Sequence, residues 1–184
     1  MALQLTPSQT VGPYYAIGMT WDDGPFVVPE GEDGAFWLRG RVFDGDGEPI
    51  PDALIETWQA DPAGRYNHPD DPRGAATGFR GFARSPTGKD GSFAIHTVKP
   101  GPVPGPGGAP QAPHLAMSVF ARGLLNRVVT RVYFPDEADA NAADPVLKDL
   151  PEDRRATLVA DAGGDGYRFD VHLQGADETV FFAV

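Results

Sequence analysis

The chain contains no cysteine among its 184 residues, which removes disulfides, thiolate metal sites and cysteine nucleophiles together. Positive charge is scarce: 15 Lys and Arg stand against 26 Asp and Glu, a formal net charge of −11 at pH 7. A surface with that balance repels polyanions, so neither nucleic acid nor an anionic membrane is expected as a partner. Long apolar runs are missing, and no stretch approaches the length of a membrane span. The opening MALQLTPSQT has neither the basic start nor the apolar stretch of a signal peptide. These absences leave a soluble acidic domain, expected in the cytoplasm.

Turn chemistry is what the chain has in excess, with 23 glycines and 19 prolines. Hydrophobic residues at 41% still supply enough apolar surface for one core at this length. The chain reads as a single domain over 1–184, in which 1–35 forms an extended N-terminal arm and loop. Pro7 and Pro13 suit an arm that lies along a partner rather than in its own core. Aromatic and β-branched content with period-two alternation predicts strands over 36–44, 53–60, 92–98, 114–121, 127–134, 167–173 and 179–182. A helix is predicted from Pro151 to Ala160, because proline fits a first turn and Glu152 and Asp153 suit its positive end. Residues 67–88 and 100–113 read as loops, the second because PGPVPGPGGAPQAP admits neither a helix nor a central strand. Seven short strands, long connections and one or two short helices predict a mainly β fold, an antiparallel β-sandwich.

Local motifs carry little chemistry. Asp44 to Glu48 (DGDGE) lacks the spacing of a calcium loop and reads as a hairpin turn. Asp161 to Gly166 reads as a polar turn. The Gly-rich run at 101–108 lacks the Lys-Ser/Thr of a phosphate cradle, and no Ser or Thr sits in a nucleophile elbow. His68, His96, His114 and His172 are scattered, with no pair at helical or alternate-strand metal spacing. Read singly, these residues define only a loop-rich β domain.

Three separated stretches say more in combination. They are LRGRVFDGDGEPIPDALIETWQADPAGRY (38–66), DGSFAIHTVKPG (90–101), and APHLAMSVFARG (112–123) running on to TRVYF (130–134). In this order they resemble the intradiol ring-cleavage dioxygenases, and the resemblance runs from Thr6 to Phe182. The opening TPSQTVGPYY and the closing YRFDVHLQGADETVFF resemble the family's iron-free α subunits in particular. The resemblance implies a prealbumin-like β-sandwich and a family iron site of two tyrosines and two histidines. Fe(III) is a hard ion that prefers anionic phenolate oxygen, which makes sense of that ligand set. The family's ligand positions fall here at Tyr66, Val103, His114 and Ala116, and the arginine expected beside them is Gln111. Val103 and Ala116 have no lone pair to give, and one tyrosine with one histidine does not offset the dehydration of a ferric ion. No metal and no catalytic residue is therefore expected in this chain, and the four positions read as vestigial.

The same resemblance implies a partner. An iron-free α subunit pairs with a β subunit of the same fold that binds Fe(III), as an αβ heterodimer that assembles further. Thr10 and Tyr14 of the arm, and Arg122 of FARG, are implied to reach the partner's substrate pocket. The implied reaction takes 3,4-dihydroxybenzoate and O2 to 3-carboxy-cis,cis-muconate, with cleavage between the two hydroxyl-bearing carbons, in aromatic catabolism through the β-ketoadipate route. A guanidinium suits an aromatic carboxylate, and a tyrosine offers a wall with a hydroxyl. Without the family, Arg122 reads equally well as a surface ion pair. The alternative is a stand-alone β-sandwich that binds a ligand or protein and keeps the ancestry only as scaffold.

Overall fold

The elements run α1 (Tyr14–Gly18), β1 (Ala35–Phe43), β2 (Leu54–Trp58), β3 (Phe82–Pro86), β4 (Ser92–Val98), β5 (Val103–Pro104), β6 (Pro110–Gln111), β7 (His114–Phe120) and β8 (Val128–Tyr133). They continue through α2 (Ala138–Ala143), α3 (Pro145–Lys148), α4 (Glu152–Ala156), β9 (Asp161–Gly163), β10 (Gly166–Arg168) and β11 (Val171–His172). This is a computed structural model, and it describes residues 9–10, 12 and 14–183. Pro7 and Pro13, invoked for the arm, lie outside the described residues.

β1 is the centre of one sheet. Its Leu38 and Val42 are buried while Arg39 and Arg41 are exposed, the alternation that one-sided burial requires. On one edge it pairs antiparallel with β4, and on the other it pairs parallel with β10 and then β11, with β9 beyond β10. The second sheet has the order β3-β2-β7-β8 and is antiparallel throughout. Leu38, Ile95 and Val171 of the first sheet meet Ile55, Leu115, Met117 and Val132 of the second, and all are fully buried. Each such side chain contributes about 1.5–3 kcal/mol relative to exposure. The result is the mainly β sandwich expected from the sequence, with a parallel element at β1 that alternation does not reveal. Gly40 makes that element possible, because a Cβ there would stand 1.8 Å from the Phe169 carbonyl oxygen.

Several boundaries differ from expectation. The strand predicted over 167–173 is two short strands. Between them Phe169 N donates to Arg39 O, and Asp170 Oδ1 accepts from Arg41 N. Residues 179–182 form no strand, although Thr179 N donates to His172 O and Phe182 N to Val129 O. The helix from Pro151 stops at Ala156, because Leu158 and Ala160 turn inward and exchange main-chain hydrogen bonds with Tyr133. β3 lies inside the segment read as a loop. The 100–113 segment holds the two-residue ribbon β5–β6. At the N-terminal side, Tyr14–Gly18 winds into a single helical turn. Four short α-helices and one 3-10 turn (Pro106–Gly108) are thus present among the described residues, and no helix is long and apolar enough to cross a membrane.

Candidate functional site

The outer face of the second sheet gathers the four vestigial ligand positions. Leu115, Met117 and Val119 of β7 point into the core, so His114 and Ala116 face the other way. Ala116 stands in register between Trp58 of β2 and Arg131 of β8, and His114 stands beside Tyr133. Tyr66 stacks parallel to Trp58, with ring centroids 6.1 Å apart, beside a depression of about 600 Å³ that also borders Asp71 and Arg73. Val103 lies opposite Gln111 in the β5–β6 ribbon and is buried.

Arg131 ties this face together. Its Nη1 donates to Gln111 Oε1 at 2.5 Å and to the Tyr133 hydroxyl at 3.2 Å. The Tyr133 hydroxyl donates in turn to Asp144 Oδ1 at 3.3 Å. Asp144 is fully buried, caps α3 by accepting from Val146 N and Leu147 N, and also accepts from Ala112 N. Burial pushes the Tyr66 phenol above its ordinary value, opposed by the Arg131 and Arg73 guanidiniums. Burial drives the His114 imidazole down to about 4, with the Arg131 charge acting in the same direction and the Ala112 carbonyl against it. The neutral ring then donates through Nδ1 to Ala112 O at 2.7 Å. A ferric ion does not fit these residues. Two of the four positions carry no donor atom, and a permanent guanidinium charge already acts on the other two.

A second cluster lies where α1 meets the loop after β7. Thr10 Oγ1 accepts from Gly123 N at 3.2 Å, which joins the arm to the residue following Arg122. The buried Tyr15 hydroxyl lies 3.0 Å from Phe120 O and also against Asp52 O. Arg122 Nε sits 2.9 Å from Asp52 Oδ2, with the arginine side chain two-thirds exposed. Tyr14, at 80% exposure, projects from the same helical turn as Tyr15. Thr10 and Arg122 are therefore held together through Gly123, and Tyr14 adjoins the anchor that fixes Asp52. On the same helical turn Ile17, and three residues after Arg122 Leu125, leave apolar surface exposed.

Sequence reasoning missed Arg131, Asp52 and Tyr15. The period-two pair Arg131 and Tyr133 on a predicted strand was the available signal for the first. Asp52 in IPDA reads as an ordinary turn residue, and nothing local marks its pairing with Arg122.

Comparison with known proteins shows the family. A family profile described as "Dioxygenase" matches residues 10–175. The chain is 46% identical to the protocatechuate 3,4-dioxygenase alpha chain of Burkholderia cepacia, over 99% of this chain and 98% of that protein. It is 37% identical to the protocatechuate 3,4-dioxygenase beta chain of the same organism, over 77% of this chain and 65% of that protein. Among solved structures, the dioxygenase domain of a dioxygenase carbohydrate-binding protein fusion from Streptomyces sp. SirexAA-E matches with a TM-score of 0.62 at 29% identity, covering 94% of this chain and 100% of that one.

Proposed function

Because the chain belongs to the intradiol ring-cleavage dioxygenase family, we propose that it is the iron-free α subunit of a protocatechuate 3,4-dioxygenase. The complex converts 3,4-dihydroxybenzoate and O2 to 3-carboxy-cis,cis-muconate, with both oxygen atoms entering the product. Fe(III) would be held by a β subunit of like fold, where chelation of the ion by the two catechol oxygens would activate the ring. This chain contributes Thr10, Tyr14 and Arg122 to the edge of that subunit's substrate pocket.

One observation carries the reading: the hydrogen bond from Gly123 N to Thr10 Oγ1 brings the arm and the Arg122 loop to one corner. Arg122 presents a two-thirds exposed guanidinium there, suited to a carboxylate on an aromatic ring. The exposed side chains of Tyr14 and Ile17, on the helical turn that Tyr15 fastens to Asp52, add apolar surface beside that corner, as a surface meant for a partner would. At the vestigial positions Val103 and Ala116 leave this chain without a ligand set of its own.

The test is iron content and visible absorption of the chain purified alone, and again after co-expression with a β subunit. Iron and tyrosinate-to-iron colour only in the co-purified complex is the expected result. Stoichiometric iron in the lone chain would make it an enzyme in itself, and failure to bind any β subunit would leave a stand-alone binding module.

A further inference from the structure

We infer that Asp52 is a positioning residue for substrate binding, holding Arg122 so that both of its terminal amino groups face outward to receive the substrate carboxylate. The inference rests on the reading above, in which Arg122 borders the partner's pocket.

The geometry is specific about which end of the guanidinium is used. Asp52 Oδ2 contacts Nε, 2.9 Å away. The two Nη groups at the far end of the fork are thereby left for a second carboxylate, and a guanidinium can serve two anions on different edges. Arg122 on its own is long and two-thirds exposed, so an unpaired side chain would sample many rotamers and lose that freedom on each binding event. The pair to Asp52 removes much of that loss in advance.

Asp52 is itself firmly held. It immediately precedes the buried Ala53, whose N–H donates to Thr87 Oγ1 at 2.9 Å. The Tyr15 hydroxyl lies against the Asp52 carbonyl, which fastens α1 to the same residue. Burial raises the Tyr15 phenol to about 12, with the Asp52 charge adding to it, so this hydroxyl keeps its proton. The second side-chain oxygen of Asp52, Oδ1, is buried with no hydrogen-bond partner among the described residues. A partly buried carboxylate with one oxygen unpaired is costly, and a purely structural role would be served at least as well by an asparagine or a small residue. The charge is retained where its one partner is the guanidinium, which ties the cost to Arg122. No other cation contacts Asp52 among the described ion pairs.

The experiment uses the reconstituted αβ complex with Asp52→Asn, Asp52→Ala, Arg122→Ala and the Asp52→Ala/Arg122→Ala double variant. Each is assayed on 3,4-dihydroxybenzoate and on plain catechol, which lacks the carboxylate. The Tyr15 contact is to the main-chain carbonyl, so both Asp52 variants keep it. Asp52→Ala is expected to raise KM for 3,4-dihydroxybenzoate about three- to tenfold, the value of one side chain's lost ordering, with iron content, kcat and catechol turnover unchanged. Asp52→Asn, which keeps the shape and an oxygen near Nε but loses the charge, is expected to recover part of that loss. The double variant should be no worse than Arg122→Ala. An unchanged KM in Asp52→Ala beside a raised KM in Arg122→Ala would overturn the role of Asp52 alone. Equal losses on both substrates would reduce Asp52 to a structural residue. No effect of Arg122→Ala would instead remove Arg122 from the pocket, and the underlying reading with it.

Discussion

The Arg131 guanidinium reaches the Gln111 side-chain oxygen at 2.5 Å, and the contact fixes a permanent positive charge on the sheet face that carries His114 and Ala116. Two unit charges about 4 Å apart still repel by about 4 kcal/mol at an effective dielectric near 20, and a trivalent ion multiplies the repulsion. The two positions without a donor atom and this cation are separate obstacles to metal binding.

Restoring the ligands without removing the cation should therefore fail. Val103→Tyr with Ala116→His is expected to retain no ferric iron after desalting, whereas adding Arg131→Gln should yield bound iron with visible tyrosinate absorption. Metal analysis and the visible spectrum decide it. Equal iron in the double and triple variants would assign Arg131 no part in exclusion.

Burial holds His114 near 4 against an ordinary 6.5. With the folded value below the unfolded one, protons bind the unfolded chain more readily. Stability is complete above about pH 6.5 and falls as the pH drops from there toward 4. At pH 5 the deficit is about 2 kcal/mol, or about 4–8 °C in Tm for a domain of this length. His114→Gln removes the titration and keeps a donor for Ala112 O. Its Tm should fall less than that of the parent between pH 7 and pH 5, as read by calorimetry. Parallel profiles would place the acid sensitivity elsewhere.

Gly40 is the point where the chain leading into β11 crosses closest to β1. Gly40→Ala should cost about 3 kcal/mol, because the added carbon meets main chain that has no rotamer to yield. Gly163→Ala, in the same sheet but with open space around it, should stay within about 0.5 kcal/mol of the parent. Urea denaturation of both variants makes the comparison.

Strands β1, β4 and β7 were legible because alternation and packing are the same fact: Leu115, Met117 and Val119 go in, and His114, Ala116 and Ser118 go out. β3 was hidden because it is an edge strand ending in Pro86, within a segment punctuated by glycine and proline. The parallel partners of β1 were hidden for another reason, since alternation states which side of a strand is buried and not which strand lies beside it. At the vestigial site the family motifs located Tyr66, Val103, His114 and Ala116. Arg131 escaped because its place depends on register with Ala116, set by the β7–β8 pairing. Asp52 escaped because its partner Arg122 is brought to it by the turn after β7, a relation no local pattern encodes.

The pairing of Trp37 with His96 on one side and Gly166 on the other also dictates an order of assembly. During synthesis β1 can join β4 once residues 92–98 have emerged, but its opposite edge must wait until residues 166–172 have been made. Until then a strand that carries Phe36 and Trp37 stands with unpaired main-chain groups along one edge, a template for another nascent chain. Contacts so distant in sequence also slow the final closure. The rate at which residues 166–172 arrive thus bears on yield as well as on the folded state, and slow translation between β4 and β10 would lengthen the interval in which that edge lies open.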